Sequence, residues 1–286
     1  MNPVYLNGKY LPLEQARISV LDRGFTFGDG VYEVIPVFGG GILCPDEHLR
    51  RLENSLAAVA IPCPLRRGEW REIFARLLRE RAEQEDCSLY IQVTRGVSER
   101  EHLYPDSLAP TVFVMCRPIH SRDYSNGVSA IIHEDIRWKY CHIKAITLLA
   151  GVMLKKLAAT TDGSLDAILI RGGYLTEGAS SNVFIVKGSE IKTPGTDGHV
   201  LAGITRDLLV RLLRETGIGC EETAITEAEL RSADEVWLTS STIGVVPVVR
   251  LSGLPIGDGR PGAAWQRAHR LYEDRKLGFT TAVQQS

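Results

Sequence analysis

Several things are scarce or missing from this 286-residue sequence, and each absence removes a class of function. Thirty-three basic residues against 35 acidic ones leave a formal net charge of −2. That balance gives no electrostatic reason to expect nucleic acid or an anionic membrane as a partner. No uncharged apolar run approaches the length needed to span a bilayer. The opening MNPVYLNGKYLP has no basic stretch leading into an apolar one, so no secretory signal is expected. The six cysteines (44, 63, 87, 116, 141 and 220) form no CxxC pair and follow no regular spacing. They predict reduced thiols in a cytoplasmic protein, not a disulfide framework or a zinc site. A GxxxxGK[ST] phosphate loop is missing, as are internal repeats and low-complexity segments. His48, His120, His133, His142, His199 and His269 match neither a metal set nor a triad by spacing, and read as structural.

What is present describes a soluble globular chain, 44% apolar and 24% charged, long enough for one large domain or two ordinary ones. VYLNGKYL carries a hairpin signal at Asn7-Gly8. Pro45-Asp46 opens a predicted helix to about residue 60, with Leu49, Leu52, Leu56 and Val59 on one face. Trp70, Ile73, Phe74, Leu77 and Leu78 mark a second helix, and SLYIQVTRG and TVFVMCRP read as buried strands. RPIHSRDYSNG, 117 to 127, holds turn formers without apolar period. Beyond it come a strand (VSAIIHEDI), a helix over 146–160, and hairpins at Gly172-Gly173 and Gly188-Ser189. An amphipathic helix from Ile204 to before Gly217, the strand EVWLTSST and a helix over about 261–277 complete the chain. Strands and helices without strict alternation predict a two-domain α/β (α+β) protein. Its expected parts are a smaller domain at 1–119, a linker at 120–127 and a larger domain at 128–286.

Four places could carry chemistry. CHIKAITLLAGVMLKKLAAT, 141 to 160, reads as a mostly apolar helix with Lys144 at its mouth. Lysine is almost never fully buried unpaired, and burial favours the neutral amine, a nucleophile and base. Lys144 therefore either reaches water or does chemistry, and the segment alone leaves both open. Lys155 and Lys156 read as ordinary surface charges. LAGITRDLL sets Gly203-Ile204-Thr205 at a helix start, where backbone N–H groups favour an anion, and LTSSTIG adds Ser240, Ser241 and Thr242. Taken singly, each reads as a cap or a turn. VTRGVSEREHLYP holds Arg95, Arg100 and His102. The last two are spaced to aim at one carboxylate, or to form a solvated loop. TEGASSNVF places Glu177 among small polar residues, as a turn cap or as a partner for a heterocyclic nitrogen.

Taken jointly, LDRGFTFGDGVYEV (21–34), HIKAITLL, TEGASSNVF and LAGITRDLL stand in the order and spacing of fold-type IV pyridoxal-phosphate enzymes. The chain resembles that family from about Val4 to Lys276. Within it, VTRGVSEREH is similar to the D-amino acid transaminase loop, whose Arg-x-His pair binds the substrate carboxylate. The resemblance implies mixed sheets, pyridoxal 5'-phosphate in a cleft between domains, and Lys144 as Schiff-base residue. It implies that Glu177 pairs with the pyridine nitrogen, making the ring an electron sink. Ile204, Thr205, Arg51, Ser241 and Thr242 would cradle the phosphate, with Leu201 against the ring. Tyr32, Arg100 and His102 would receive the substrate carboxylate. Because that loop reaches over from a neighbouring subunit in such enzymes, a homodimer is implied, with no metal, nucleic acid or membrane partner. The implied reaction transfers the amino group between a D-amino acid of alanine type and a 2-oxo acid such as 2-oxoglutarate or pyruvate.

Some positions depart from that pattern. His142 and Ala145 stand where relatives often carry an acid and a Ser or Thr, and Ile243 and Gly244 where more polar residues are common. The rivals are a branched-chain L-amino acid transaminase, an aminodeoxychorismate lyase and a non-enzymatic cofactor-binding protein. Arg100 with His102 counts against the first two. Lys144 beside an intact Glu177 and phosphate motif counts against the third.

Overall fold

Asn7 and Gly8 turn the chain as expected. Both have positive φ, 47° and 85°, as a tight two-residue hairpin requires, between β1 (Pro3–Leu6) and β2 (Lys9–Pro12). The structure is a computed structural model describing residues 2–81, 85–120, 122–196 and 198–283, with the backbone alone for 279–283. The chain divides into two compact units. The first holds residues up to His120 together with Ile143–Thr147 and those from Leu277 onward; the second holds the remainder. The Lys144 segment, expected within 128–286, thus groups with the first unit. Ser121, in the expected linker, lies outside the described residues.

In the first unit, α1 (Arg23–Phe27), β3 (Gly30–Phe38), β4 (Gly41–Ile42), α2 (Pro45–Ala58), α3 (Arg67–Arg79), β5 (Cys87–Thr94) and β6 (Thr111–Pro118) follow the hairpin. The six strands make one antiparallel sheet, in the order β2-β1-β6-β5-β3-β4. Pro45 pre-sets the first turn of α2, and Asp46 and Glu47 suit its positive end. Leu49, Leu52 and Leu56 of α2 and Trp70, Phe74 and Leu77 of α3 bury against Val31, Ile35, Leu89 and Ile91 of the sheet.

The second unit comprises β7 (Val128–Glu134), α4 (Leu149–Thr160), β8 (Asp166–Arg171), β9 (Tyr174–Gly178), β10 (Asn182–Lys187) and β11 (Glu190–Thr193). It continues with α5 (Ile204–Glu215), β12 (Cys220–Glu222), α6 (Glu227–Arg231), β13 (Glu235–Ser240), β14 (Gly244–Leu251), β15 (Leu254–Pro255) and most of α7 (Ala263–Val283). Its sheet runs β12-β11-β10-β13-β14-β7-β8-β9, with β15 on β14. The β11/β12, β14/β7 and β7/β8 pairs are parallel and the others antiparallel. β8 shows why its strands read as continuous apolar runs. Ile168 and Ile170 pack with Val183, Ile185 and Leu238, while Ala167 and Leu169 pack with Leu154 and Ala158 of α4.

Three expectations fail in α4. The helix starts at Leu149, not 146, because the residues before it pair with β3 instead. Nor is its apolar surface buried within the chain: Leu149, Val152 and Met153 are 73%, 60% and 56% exposed. Lys155 is no ordinary surface charge, since its Nζ donates to the Leu165 carbonyl and lies 3.6 Å from buried Asp166. Among the described residues, no helix is long and apolar enough to cross a membrane.

Phe74 has no exposed surface and stacks on Trp70 at 6.2 Å between ring centroids. Phe74→Ala is expected to cost about 3–5 kcal/mol of stability, read from denaturant unfolding. A loss under about 1 kcal/mol would contradict this packing.

Candidate active site

Alternation along β3 points Val31, Glu33 and Ile35 to one side, all with 0% exposure. A lone carboxylate there would carry a desolvation penalty of several kcal/mol. α2 offsets it with two side chains one turn apart. Arg51 donates from Nε and Nη2 to the two Glu33 oxygens at 2.9 and 2.6 Å, and His48 Nδ1 lies 3.1 Å from Oε1. Burial works against the Glu33 charge, but Arg51 and His48 outweigh it and hold the carboxyl well below its usual range. Burial depresses His48, with Glu33 opposing and the Arg51 and Lys144 charges adding to the effect. Arg51, expected at a phosphate, is thus engaged on two sides with Glu33.

Lys144 is placed by β3 and α2. Its carbonyl accepts from Tyr32 N–H at 2.9 Å, its own N–H donates to Ser55 Oγ at 3.2 Å, and Ala145 bridges to Val31. Its half-buried side chain carries Nζ to 4.4 Å from the Tyr32 ring centroid. A positively charged amine gains from that ring face. Tyr32 and Lys144 are therefore together.

Arg100 and His102 are exposed on the irregular segment after β5. Both pack on Phe27 of α1: the Arg100 guanidinium is 5.3 Å from the ring centroid, the His102 ring 5.5 Å. Arg95, a candidate for the same loop, is buried instead in a bidentate pair with Asp29 at 2.8 and 2.9 Å.

In the second unit, Glu177 is the penultimate residue of β9, with 4% exposure. Arg137 Nη1 donates to Oε1 at 2.5 Å, while Oε2 accepts from Asn182 Nδ2 at 3.2 Å and Leu201 N–H at 3.0 Å. Arg137 also forks onto Asp135 through Nε and Nη2, both at 2.9 Å. Burial opposes its charge, but Asp135 and Glu177 outweigh burial and raise its pKa above the ordinary arginine value. Asn182 Nδ2 donates as well to the Leu201 carbonyl at 2.9 Å, tying Glu177 to the loop that enters α5. No side chain caps α5, which begins at Ile204 and Thr205 after Gly203. A Cβ on Gly203 would lie 1.9 Å from Asn182 Oδ1, so glycine lets this loop lie against Asn182. Asn182 faces Thr239 across β10 and β13, and Ser241 and Thr242 turn the chain just beyond.

Sequence reasoning missed the partners that hold the candidates: Glu33 and His48, Arg137 and Asp135, and Asn182. One signal was available. A glutamate on the apolar face of a strand needs a buried cation, and His48 and Arg51 share a helix face with Leu52 and Ser55.

Acid should weaken this arrangement. His48 titrates below its ordinary value of 6.5 when folded, so its contribution is intact above that value and is lost as pH falls. The unfolded chain then binds a proton that the folded one resists. The urea midpoint is expected to drop between about pH 7 and about pH 5, and His48→Asn to flatten that slope. An unchanged slope would place the acid sensitivity elsewhere.

Comparison with known proteins places the chain in a family. The family model for class IV amino-transferases matches residues 30–251. A D-alanine aminotransferase of Bacillus licheniformis is 41% identical over 97% of this chain and 98% of its own length. One from Listeria monocytogenes is 35% identical over 94% of each. In structure, a branched-chain aminotransferase from Thermoproteus uzoniensis is similar, with a TM-score of 0.87 and 24% identity, covering 97% of this chain and 95% of its own. That last likeness concerns the fold alone. The chain belongs to the class IV aminotransferase family.

Proposed function

We infer that this chain is a D-amino acid transaminase that uses pyridoxal 5'-phosphate. It moves the amino group between a D-amino acid of the D-alanine type and a 2-oxo acid such as 2-oxoglutarate or pyruvate. Residues of both units have the chemistry to hold the cofactor. Glu177 is a buried carboxylate in a set of directed donors, suited to a protonated pyridine nitrogen. The uncapped start of α5 at Ile204 and Thr205, with the hydroxyls of Ser241 and Thr242, suits a phosphate. Leu201 supplies an apolar contact for the ring. When bound, the cofactor supplies a carbonyl carbon that takes up the amino group and a ring that draws electrons from the substrate Cα.

The chain's own residues do the rest. Lys144 is the covalent anchor and the amine that moves the proton at Cα, acid–base help worth about two to four powers of ten in rate. Its backbone, pinned to Tyr32 and Ser55, fixes where that amine starts. Tyr32, Arg100 and His102 take the substrate carboxylate. Because one amine serves one face, the side on which the carboxylate is held decides which enantiomer offers its Cα–H to Lys144.

The observation that carries the D reading over the branched-chain L reading is Arg100 and His102 packed on one ring, Phe27, on an exposed loop. The D-alanine aminotransferase relatives support it. The protein works as a homodimer in the cytoplasm. The exposed Leu148, Leu149, Val152 and Met153 are the surface a second copy would cover, and the cysteines form no disulfide among the described residues.

Borohydride treatment of the yellow holoenzyme is expected to fix the cofactor on the peptide bearing Lys144. D-alanine should bleach the untreated enzyme and L-leucine should not. Bleaching by L-leucine alone would overturn the D assignment. Arg100→Ala is expected to raise KM for D-alanine and 2-oxo acid about ten- to a hundredfold, with the cofactor retained. Loss of cofactor would put Arg100 in another role.

A further inference from the structure

The loop bearing Arg100 and His102 has no helix or strand to hold it, yet its backbone is gripped from below by one buried side chain. Arg23, 3% exposed in α1, donates from Nη1 to the Glu101 carbonyl at 2.6 Å and from Nη2 to the His102 carbonyl at 3.4 Å. Its Nε donates to Asp29 Oδ2 at 2.8 Å, and its guanidinium lies 4.5 Å from the Phe27 ring centroid and 5.5 Å from that of Tyr104. Asp29 is shared with Arg95, which anchors to the Val59 and Ala60 carbonyls at 2.7 and 2.9 Å and lies 3.7 Å from the Tyr104 ring centroid. Arg23 therefore holds the backbone at His102 and at the residue before it, and packs on the ring that carries both exposed side chains.

We propose that Arg23 is the positioning residue of the substrate-carboxylate clamp: it sets the carboxylate affinity without touching substrate, by fixing the loop from Arg100 to Tyr104. This rests on the assignment of Arg100 and His102 as the clamp. The chemistry calls for arginine. Its planar fork spreads donors over a carboxylate and two consecutive carbonyls at once, whereas an ammonium is a compact point charge on a flexible stem. Asp29 balances the buried charge, so substitution by lysine keeps the ion pair and removes the grip on the loop.

The test compares holoenzymes carrying Arg23→Lys and Arg100→Ala with the parent, by steady-state kinetics and by hydrogen exchange over residues 99–104. Arg23→Lys is expected to raise KM for D-alanine and pyruvate about tenfold, with a far smaller change in kcat and cofactor still bound. It should also speed loop exchange, and Arg100→Ala should raise KM as well. If Arg100→Ala raises KM while Arg23→Lys alters neither KM nor exchange, the inference is overturned and the clamp stands. A KM rise with unchanged exchange also overturns it, because Arg23 then acts on substrate directly. If Arg100→Ala leaves KM unchanged, the clamp assignment itself fails and the role of Arg23 falls with it. Should Arg23→Lys not fold, Tyr104→Leu removes the ring beneath both guanidiniums and is read the same way. A smaller rise in KM and exchange supports the proposal, and no change in either refutes it.

Discussion

A carboxylate inside a hydrocarbon face organises the first unit. Glu33 stands between Val31 and Ile35, where only a paired charge is tolerable, and Arg51 and His48 must come to it from α2. That requirement fixes the rotation and height of α2 on β3. The same helix carries Ser55, whose hydroxyl accepts the backbone N–H of Lys144, while β3 supplies the N–H of Tyr32 to the Lys144 carbonyl. The Lys144 backbone thus lies between two neighbours that an ion pair locks together. Directed hydrogen bonds do this better than hydrocarbon contact, which fills space but discriminates poorly between nearby registers.

The second unit uses the same device at Glu177. Its oxygens divide their work: one takes the Arg137 charge, and the other takes two neutral donors belonging to the α5 entry. Arg137 is itself held by Asp135, which also accepts from Arg171 and Thr176. A carboxylate so constrained presents its charge in one direction, and its position is coupled through Asn182 to the helix start proposed for the phosphate. A third buried ion-pair set, Arg23–Asp29–Arg95, serves the exposed loop.

This arrangement bears on how one family serves both enantiomers. Lys144 is held against β3 and Glu177 lies within β9, whereas Arg100 and His102 sit on an irregular loop tied down by the Gly96 and Ser98 backbone and by the Arg23 side chain. On the proposed assignment, a change in that loop would move the substrate carboxylate while Lys144 and Glu177 keep their places in their own units.

Much was legible because it depends on local pattern. The Asn7-Gly8 hairpin, the apolar stripe of α2, the Gly172-Gly173 and Gly188-Ser189 turns and the helix at Ile204 follow from backbone preference and periodicity, which act within a few residues. Motif order named Lys144 and Glu177. What sequence could not supply were contacts between distant positions: Glu33 with Arg51, Glu177 with Arg137, Arg23 with the carbonyls of Glu101 and His102. α4 shows the limit from the other side. Its apolar residues predicted burial, but hydrophobicity states only a preference to leave water, not which surface will cover it, and residues 143–146 found β3 before the helix could claim them. By itself the sequence determined most of the elements and named the candidate groups, since those rest on local conformation and side-chain chemistry. The tertiary structure alone decided which buried charges meet, because pairing depends on distances that only the packed chain defines.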